Sequence, residues 1–141
     1  EIDFMICEIV TDPILLSRIS RPAQAQDFNI ARDLRDTLMA HADHCVGMAA
    51  NMIGRPVRVI AILLEGQPVV MINPQLLKTS GKKYTAEEGC LSLKGVRQAQ
   101  RFEKIQLQYQ DEQGRQKQRT FSGFPAQIIQ HELDHCEGIL I

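Results

Sequence analysis

The run His131-Glu132-Leu133-Asp134-His135 places two imidazoles four residues apart, with a carboxylate directly after the first. On a helix, positions i and i+4 share a face, so both rings can point at one cation. Glu132 lies about 100° round the helix axis from His131, within reach of a water held by that cation. This is the chemistry of metal-assisted hydrolysis. It is preferred here over two exposed helix histidines that merely pair with carboxylates. Two rings leave a metal under-coordinated, because a catalytic site of this type has three protein ligands and one open position. The sequence ends six residues after His135, so the third ligand is expected upstream. Cys90, Glu87 or Glu88, and the pair His44/Cys45 are the candidates.

These residues need elements to carry them. Pro125 suits a first helical turn, Ala126 to Glu137 has no breaker, and Gly138 suits a helix C′ position, which predicts a C-terminal helix bearing both histidines. A second helix is predicted over Asp27 to His44, with Ala31, Leu34, Leu38 and Ala42 at helical spacing and Asp27 as N-cap. Gly47 to Gly54 reads as a small-residue loop. Val57 to Leu64 and Val69 to Ile72 read as paired strands, the second ended by the breaker Asn73-Pro74. Ile105, Leu107 and Tyr109 alternate with polar residues, Asp111 to Gly114 is a turn, and Arg115 to Phe121 completes a hairpin. Arg115, Lys117 and Arg119 on one face read as a charge-protected edge strand rather than a docking stripe. The expected fold is α+β: mostly antiparallel sheets packed around a C-terminal metal-binding helix, with one further N-terminal helix.

At 141 residues the chain is expected to form a single domain over 1–141. Its 16 Lys+Arg against 17 Asp+Glu, spread along the sequence, disfavour a polyanion as main partner, so no direct nucleic-acid contact is expected. Apolar runs such as Val59 to Leu64 fall far short of the ~18 residues of a membrane span, and no membrane partner is expected. No secretory signal is evident, and Cys7, Cys45, Cys90 and Cys136 are widely separated. Such spacing suits thiols kept in a reducing cytoplasm.

Glu88-Gly89-Cys90-Leu91-Ser92, followed some forty residues later by the H-E-x-D-H run, resembles the second and third motifs of the peptide deformylases. Cys45-Val46-Gly47-Met48-Ala49-Ala50-Asn51-Met52-Ile53-Gly54 echoes that family's first motif, G-x-G-L-A-A-x-Q-x-G. The order is right, and the likeness runs from about Met5 to the C-terminus, as in a short, variant member. The resemblance implies that Cys90, His131 and His135 hold one divalent ion, with Fe(II) expected in the cell and Zn(II) or Ni(II) as alternatives. Glu132 would move the water's proton, and the Leu91 N–H would hold the oxyanion. The implied reaction removes the N-formyl group from the terminal formyl-methionine of newly made polypeptides, releasing formate. An N-formylmethionyl peptide is thus the substrate, presented by ribosome-associated nascent chains. By similarity, Val46, Phe124, Ile128 and the His131 ring form the methionine pocket, the peptide backbone lies along Gly47 and Gly89, and Arg97 meets the far end. Arg101 would pair with Asp134, and Glu88 would orient a ligand histidine.

The sequence departs from the pattern at several positions. Met52 stands where the family has a glutamine expected to donate to the oxyanion, and methionine cannot donate. One lost donor of this kind typically costs ~10²–10³ in rate. The neighbouring amide of Asn51 is a possible stand-in. Cys45 replaces a glycine, Met48 a leucine, Lys94 a proline and Cys136 a leucine. These changes support a second reading, a catalytically weak or inactive relative that binds N-terminal peptides. The retained Glu132 argues against it, because binding alone has no need of a general base.

Overall fold

The computed structural model describes residues 6–141. In chain order the elements are α1 (Pro13–Leu16), α2 (Phe28–Ala40), β1 (Gly47–Ala49), β2 (Val59–Leu64), β3 (Gln67–Cys90), β4 (Leu93–Gln110), β5 (Gln116–Ser122) and α3 (Phe124–Cys136). Short 3-10 turns occupy Ala25–Asp27 and Ala50–Ile53. The strands form one antiparallel sheet in the order β1-β2-β3-β4-β5. The α+β expectation therefore holds, with one continuous sheet where several were expected. Register shifts along β3 and β4, between Ile72/Gln75, Leu76/Lys78, Ser80/Lys83 and Gly89/Cys90, mark bulges. Each bulge bends and twists a long strand pair locally.

Two apolar clusters flank the buried strand β2. Val59 and Ala61 belong to the cluster that contains Leu34 and Leu38 of α2, whereas Ile60 and Ile62 belong to the one that contains Ala126 and Ile129 of α3. Alternate side chains of a strand point to opposite faces. The unbroken apolar run of β2 thus follows from helix packing on both sides.

Several boundaries differ from expectation. Helix α2 begins at Phe28 with Asp27 at the N-cap position as expected, but the Asp27 carboxylate accepts from the Gln24 N–H at 2.8 Å and pairs with Arg21 at 2.8 Å instead of capping α2. It ends at Ala40, not His44. The expected loop at Gly47 to Gly54 is strand β1 followed by a 3-10 turn, closed by Gly54 at φ 81°. Strand β2 starts at Val59; Val57 forms an isolated parallel bridge with Arg21. Asn73-Pro74 does not end β3 but lies in a bulge, where Asn73 adopts φ 52° and its side chain bonds the backbone N–H and carbonyl of Ala23 at 2.7 and 3.0 Å. The arms beyond it, residues 75–90 of β3 and 93–103 of β4, are too polar to read as strands. They nevertheless pair from Lys83↔Phe102 to Cys90↔Leu93, beyond the Gln75↔Gln108 to Ser80↔Lys104 ladder, and carry Cys90 to the end of the hairpin. Helix α3 matches its prediction to within two residues, with Pro125 in its first turn and Gly138 at φ 73° beyond its end. β5 is a sheet edge as expected: Arg115 and Lys117 reach Asp111, and Arg119 lies 4.9 Å over the Phe121 ring.

Candidate metal centre

Cys90 at the end of β3 meets His131 and His135 of α3, and one ligand atom from each lies within 4.8 Å of the other two. No other group of three or more such donors is this close among the described residues. Both rings are buried, and Cys90 is half-buried. Burial alone would push the Cys90 thiol up, but hydrogen bonds from the two imidazoles bring it down to about 6, so a thiolate is at hand at neutral pH. Burial likewise disfavours charge on the rings. Contact with Cys90 and Glu88 nonetheless raises His131 to about 9, and the Glu132 charge with Cys90 raises His135 to about 11.

The other expected ligands have different work. Glu88 accepts from His131 Nδ1 at 2.7 Å and takes both Arg101 nitrogens, Nε at 2.9 Å and Nη2 at 2.7 Å. Arg101 Nη1 continues to Asp134 at 2.7 Å, which ties β3, β4 and α3 together. His131 is thereby fixed with Nδ1–H outward and Nε2 left to ligate. Burial would push the Glu88 carboxyl up, but bonds from His131 and Arg101 hold it near 2. Glu87 is exposed on the cavity wall. His44 and Cys45 also line the cavity, and the Cys45 thiol donates to the Gly47 carbonyl at 3.0 Å, while burial pushes it up to about 11. Glu137, downstream of the histidines, is exposed and pairs with Arg58 at 3.2 Å.

The residues present fit a divalent ion. His135 Nε2 faces the Ile141 carbonyl at 3.1 Å, which leaves Nδ1 buried without a hydrogen-bond partner among the described residues. Glu132 Oε1 is buried and unpartnered too, 3.1 Å from that nitrogen but misaligned for a hydrogen bond. Buried polar atoms left without partners call for an unrecorded group. A thiolate with two imidazoles is a donor set for Fe(II) or Zn(II).

In front of this cluster lies a cavity of about 500 Å³. Its wall includes Val46, Gly47, Gly89, Leu91, Phe124 and Ile128, all foreseen from sequence. Arg97 is not in the wall: it stands across the strand pair from Glu88 and turns its guanidinium to the Lys94 carbonyl at 3.3 Å. Gly47 is required by close approach, since a Cβ there would fall 2.6 Å from Ile128 Cγ2 and 2.8 Å from Glu132 Oε2. Asn51 does not replace the missing glutamine, because its amide donates to the His135 and Leu16 carbonyls at 3.1 and 3.4 Å. Met52, 1% exposed, sits in the core cluster against which Cys90 and Leu91 pack, with its sulfur 3.5 Å from the Ala49 N–H. Sequence reading missed Gln127, a further wall residue, although its i−4 spacing from His131 puts it on the same helix face.

An H-E-x-x-H helix with an upstream thiolate, opening on a cavity, defines the class: a metallohydrolase on an α+β scaffold with a site for one metal ion. The comparisons narrow it further. The polypeptide deformylase family pattern matches residues 6–141, and the chain belongs to that family. It is 47% identical to the peptide deformylase of Clostridium beijerinckii over 97% of this chain and 100% of that one. Among solved structures it is similar to the Met-Ala-Ser-bound class I type b peptide deformylase of Acinetobacter baumannii, with a TM-score of 0.86, 31% identity and 96% of each chain covered. The deformylase of Thermotoga maritima matches with a TM-score of 0.84 and 28% identity, over 99% of this chain and 95% of that one.

Proposed function

We propose that this chain, working as a single domain over residues 1–141, hydrolyses the N-formyl group of formyl-methionyl peptides at the centre made by Cys90, His131 and His135. The observation that carries this reading is the meeting of one sulfur and two ring nitrogens within 4.8 Å, beside a buried glutamate with an unpartnered oxygen. A divalent ion held there would supply Lewis acidity, lowering the pKa of a water toward about 7 and polarising the formyl carbonyl. Fe(II) is proposed in the cell, and Zn(II) or Ni(II) as replacements, since selection follows availability.

The rest of the reaction falls to the protein's own groups. Glu132 takes the proton of the attacking water and delivers it to the leaving amine, as a positioned carboxylate does. The Leu91 N–H, next to Cys90, donates to the carbonyl oxygen as charge builds on it. Among the described residues β1 is paired only with β2, which leaves its other edge to a peptide strand at Gly47, with Gly89 on the wall nearby. Val46, Phe124 and Ile128 provide the apolar surface for the methionine side chain. A formyl carbon carries only hydrogen, so a narrow site admits it and rejects larger acyl groups. Arg97, outside the wall, is assigned to the far end of longer peptides.

The proposed setting is the cytoplasm, on nascent chains at the ribosome. The four cysteines are free, which suits a reducing compartment, and among the described residues no helix is long and apolar enough to cross a membrane.

The test is formate release from formyl-Met-Ala-Ser by anaerobically prepared protein loaded with Fe(II), Ni(II) or Zn(II), beside Glu132→Ala. The active reading expects release well above that control with at least one metal. Equality with the control for every metal contradicts it and favours the peptide-binding relative.

A further inference from the structure

We propose that Gln127 selects for a formylated residue whose side chain ends in a neutral hydrogen-bond acceptor, with the sulfoxide of oxidised methionine as the fitting case. The proposal rests on the deformylase reading for the orientation of the substrate, and it gives that reading a specificity the apolar wall alone lacks. Phe124, Gln127, Ile128 and His131 follow one another at i, i+3, i+4 and i+7 along α3, and all four line the cavity. Between Phe124 and Ile128 on this helix face, Gln127 sets a neutral polar group beside apolar ones. It lies four residues before His131, hence about 6 Å farther along the helix axis. That offset suits the end of an unbranched side chain whose backbone is held at the metal-ligand end.

The Gln127 amide is also oriented. The Tyr84 hydroxyl on β3 donates to Gln127 Oε1 at 3.0 Å, so the acceptor end is engaged and the –NH₂ remains as the donor. A thioether accepts hydrogen bonds weakly, a hydrocarbon not at all, and a sulfoxide oxygen well. Charge narrows the choice further. Glu87, Glu88 and Glu132 line the cavity, and among the described residues no Lys or Arg does. An anionic side chain would be repelled by the Glu87 and Glu132 carboxylates, whereas a neutral acceptor would not. The simpler view is that the Tyr84–Gln127 bond only fastens α3 to β3.

The two views separate in ratios measured on one preparation. Turnover would be compared for formyl-Met(sulfoxide)-Ala-Ser and formyl-norleucine-Ala-Ser, norleucine being the isostere with no acceptor. A neutral hydrogen bond of this kind corresponds to about a tenfold preference. We expect Gln127→Leu to lower the sulfoxide-to-norleucine ratio of kcat/KM about tenfold, chiefly through KM, and Tyr84→Phe to lower it less. Calorimetric titration of the deformylated products Met(sulfoxide)-Ala-Ser and norleucine-Ala-Ser should give the same ratio without any turnover. An enzyme that releases no formate but keeps this binding ratio would defeat the deformylase reading and leave the selectivity standing. A ratio unchanged within twofold by Gln127→Leu, in both turnover and binding, overturns the proposal.

Discussion

The end of β3 and the middle of α3 each bury a glutamate beside a ligand histidine, and the two are treated in opposite ways. Glu88 on β3 is fully partnered, by His131 Nδ1 and by two Arg101 nitrogens. Glu132 on α3 keeps Oε1 unpartnered at 3% exposure. A carboxylate saturated with donors, and drawn down to about 2 by them, cannot trade protons near neutrality; it can only orient what it touches. One held dry with an oxygen to spare can accept a proton in the reaction. The difference lies in position. Arg101 is delivered by β4, where it pairs with Tyr84 in register, and it reaches back to Glu88 while also touching Asp134. Beside Glu132 stands Gly47, whose missing side chain leaves space at the carboxylate.

This contrast can be broken from either side. Glu132→Ala removes the reactive carboxylate and should lower formate release by about 10²–10⁴-fold, while metal content measured by elemental analysis stays near one ion per chain. Next in size is Arg101→Met, which strips a buried ion pair of its cation and leaves Glu88 uncompensated. A loss of about 3 kcal/mol is expected in urea unfolding, with the half-exposed Asp134 contributing little of it. Glu88→Gln keeps the shape but weakens the hold on His131, and metal affinity from chelator competition should fall about 10–100-fold. Met52→Gln sharpens the reactive side instead. Position 52 lies in the core cluster behind Cys90 and Leu91, and an added amide donor there should raise kcat at least about tenfold. No rise would assign the oxyanion to the Leu91 N–H without side-chain help.

How much of this was legible in the sequence depends on where the information is local. Helix α3 and its histidines follow from Pro125, Gly138 and i, i+4 spacing, all short-range signals. β2 was legible because burial on both faces makes an unbroken apolar run. The outer arms of β3 and β4 were not, since Lys83, Thr85 and Glu87 are exposed ladder positions whose pairing is set by the partner strand rather than by apolar alternation. Asn73-Pro74 misled for a related reason: a left-handed asparagine is tolerated where Ala23 across the fold holds its side chain. The third ligand could not be chosen from spacing alone, as Cys90, Glu87, Glu88 and the His44/Cys45 pair all remained open. Motif resemblance pointed to Cys90, and the geometry brings its sulfur to the rings. Arg97, matched by motif to the far end of the peptide, lies outside the cavity wall. Gln127 is the converse, a residue at helical spacing from His131 that no motif marks.

The claim on which the rest depends is that one sulfur and two imidazole nitrogens share an ion. X-ray absorption at the metal edge of Zn(II)-loaded protein tests it directly. The proposed centre predicts one sulfur at about 2.3 Å and two ring nitrogens at about 2.0–2.1 Å, with the sulfur scattering lost in Cys90→Ser. A shell of nitrogen and oxygen alone, or a sulfur signal that survives Cys90→Ser, would contradict it.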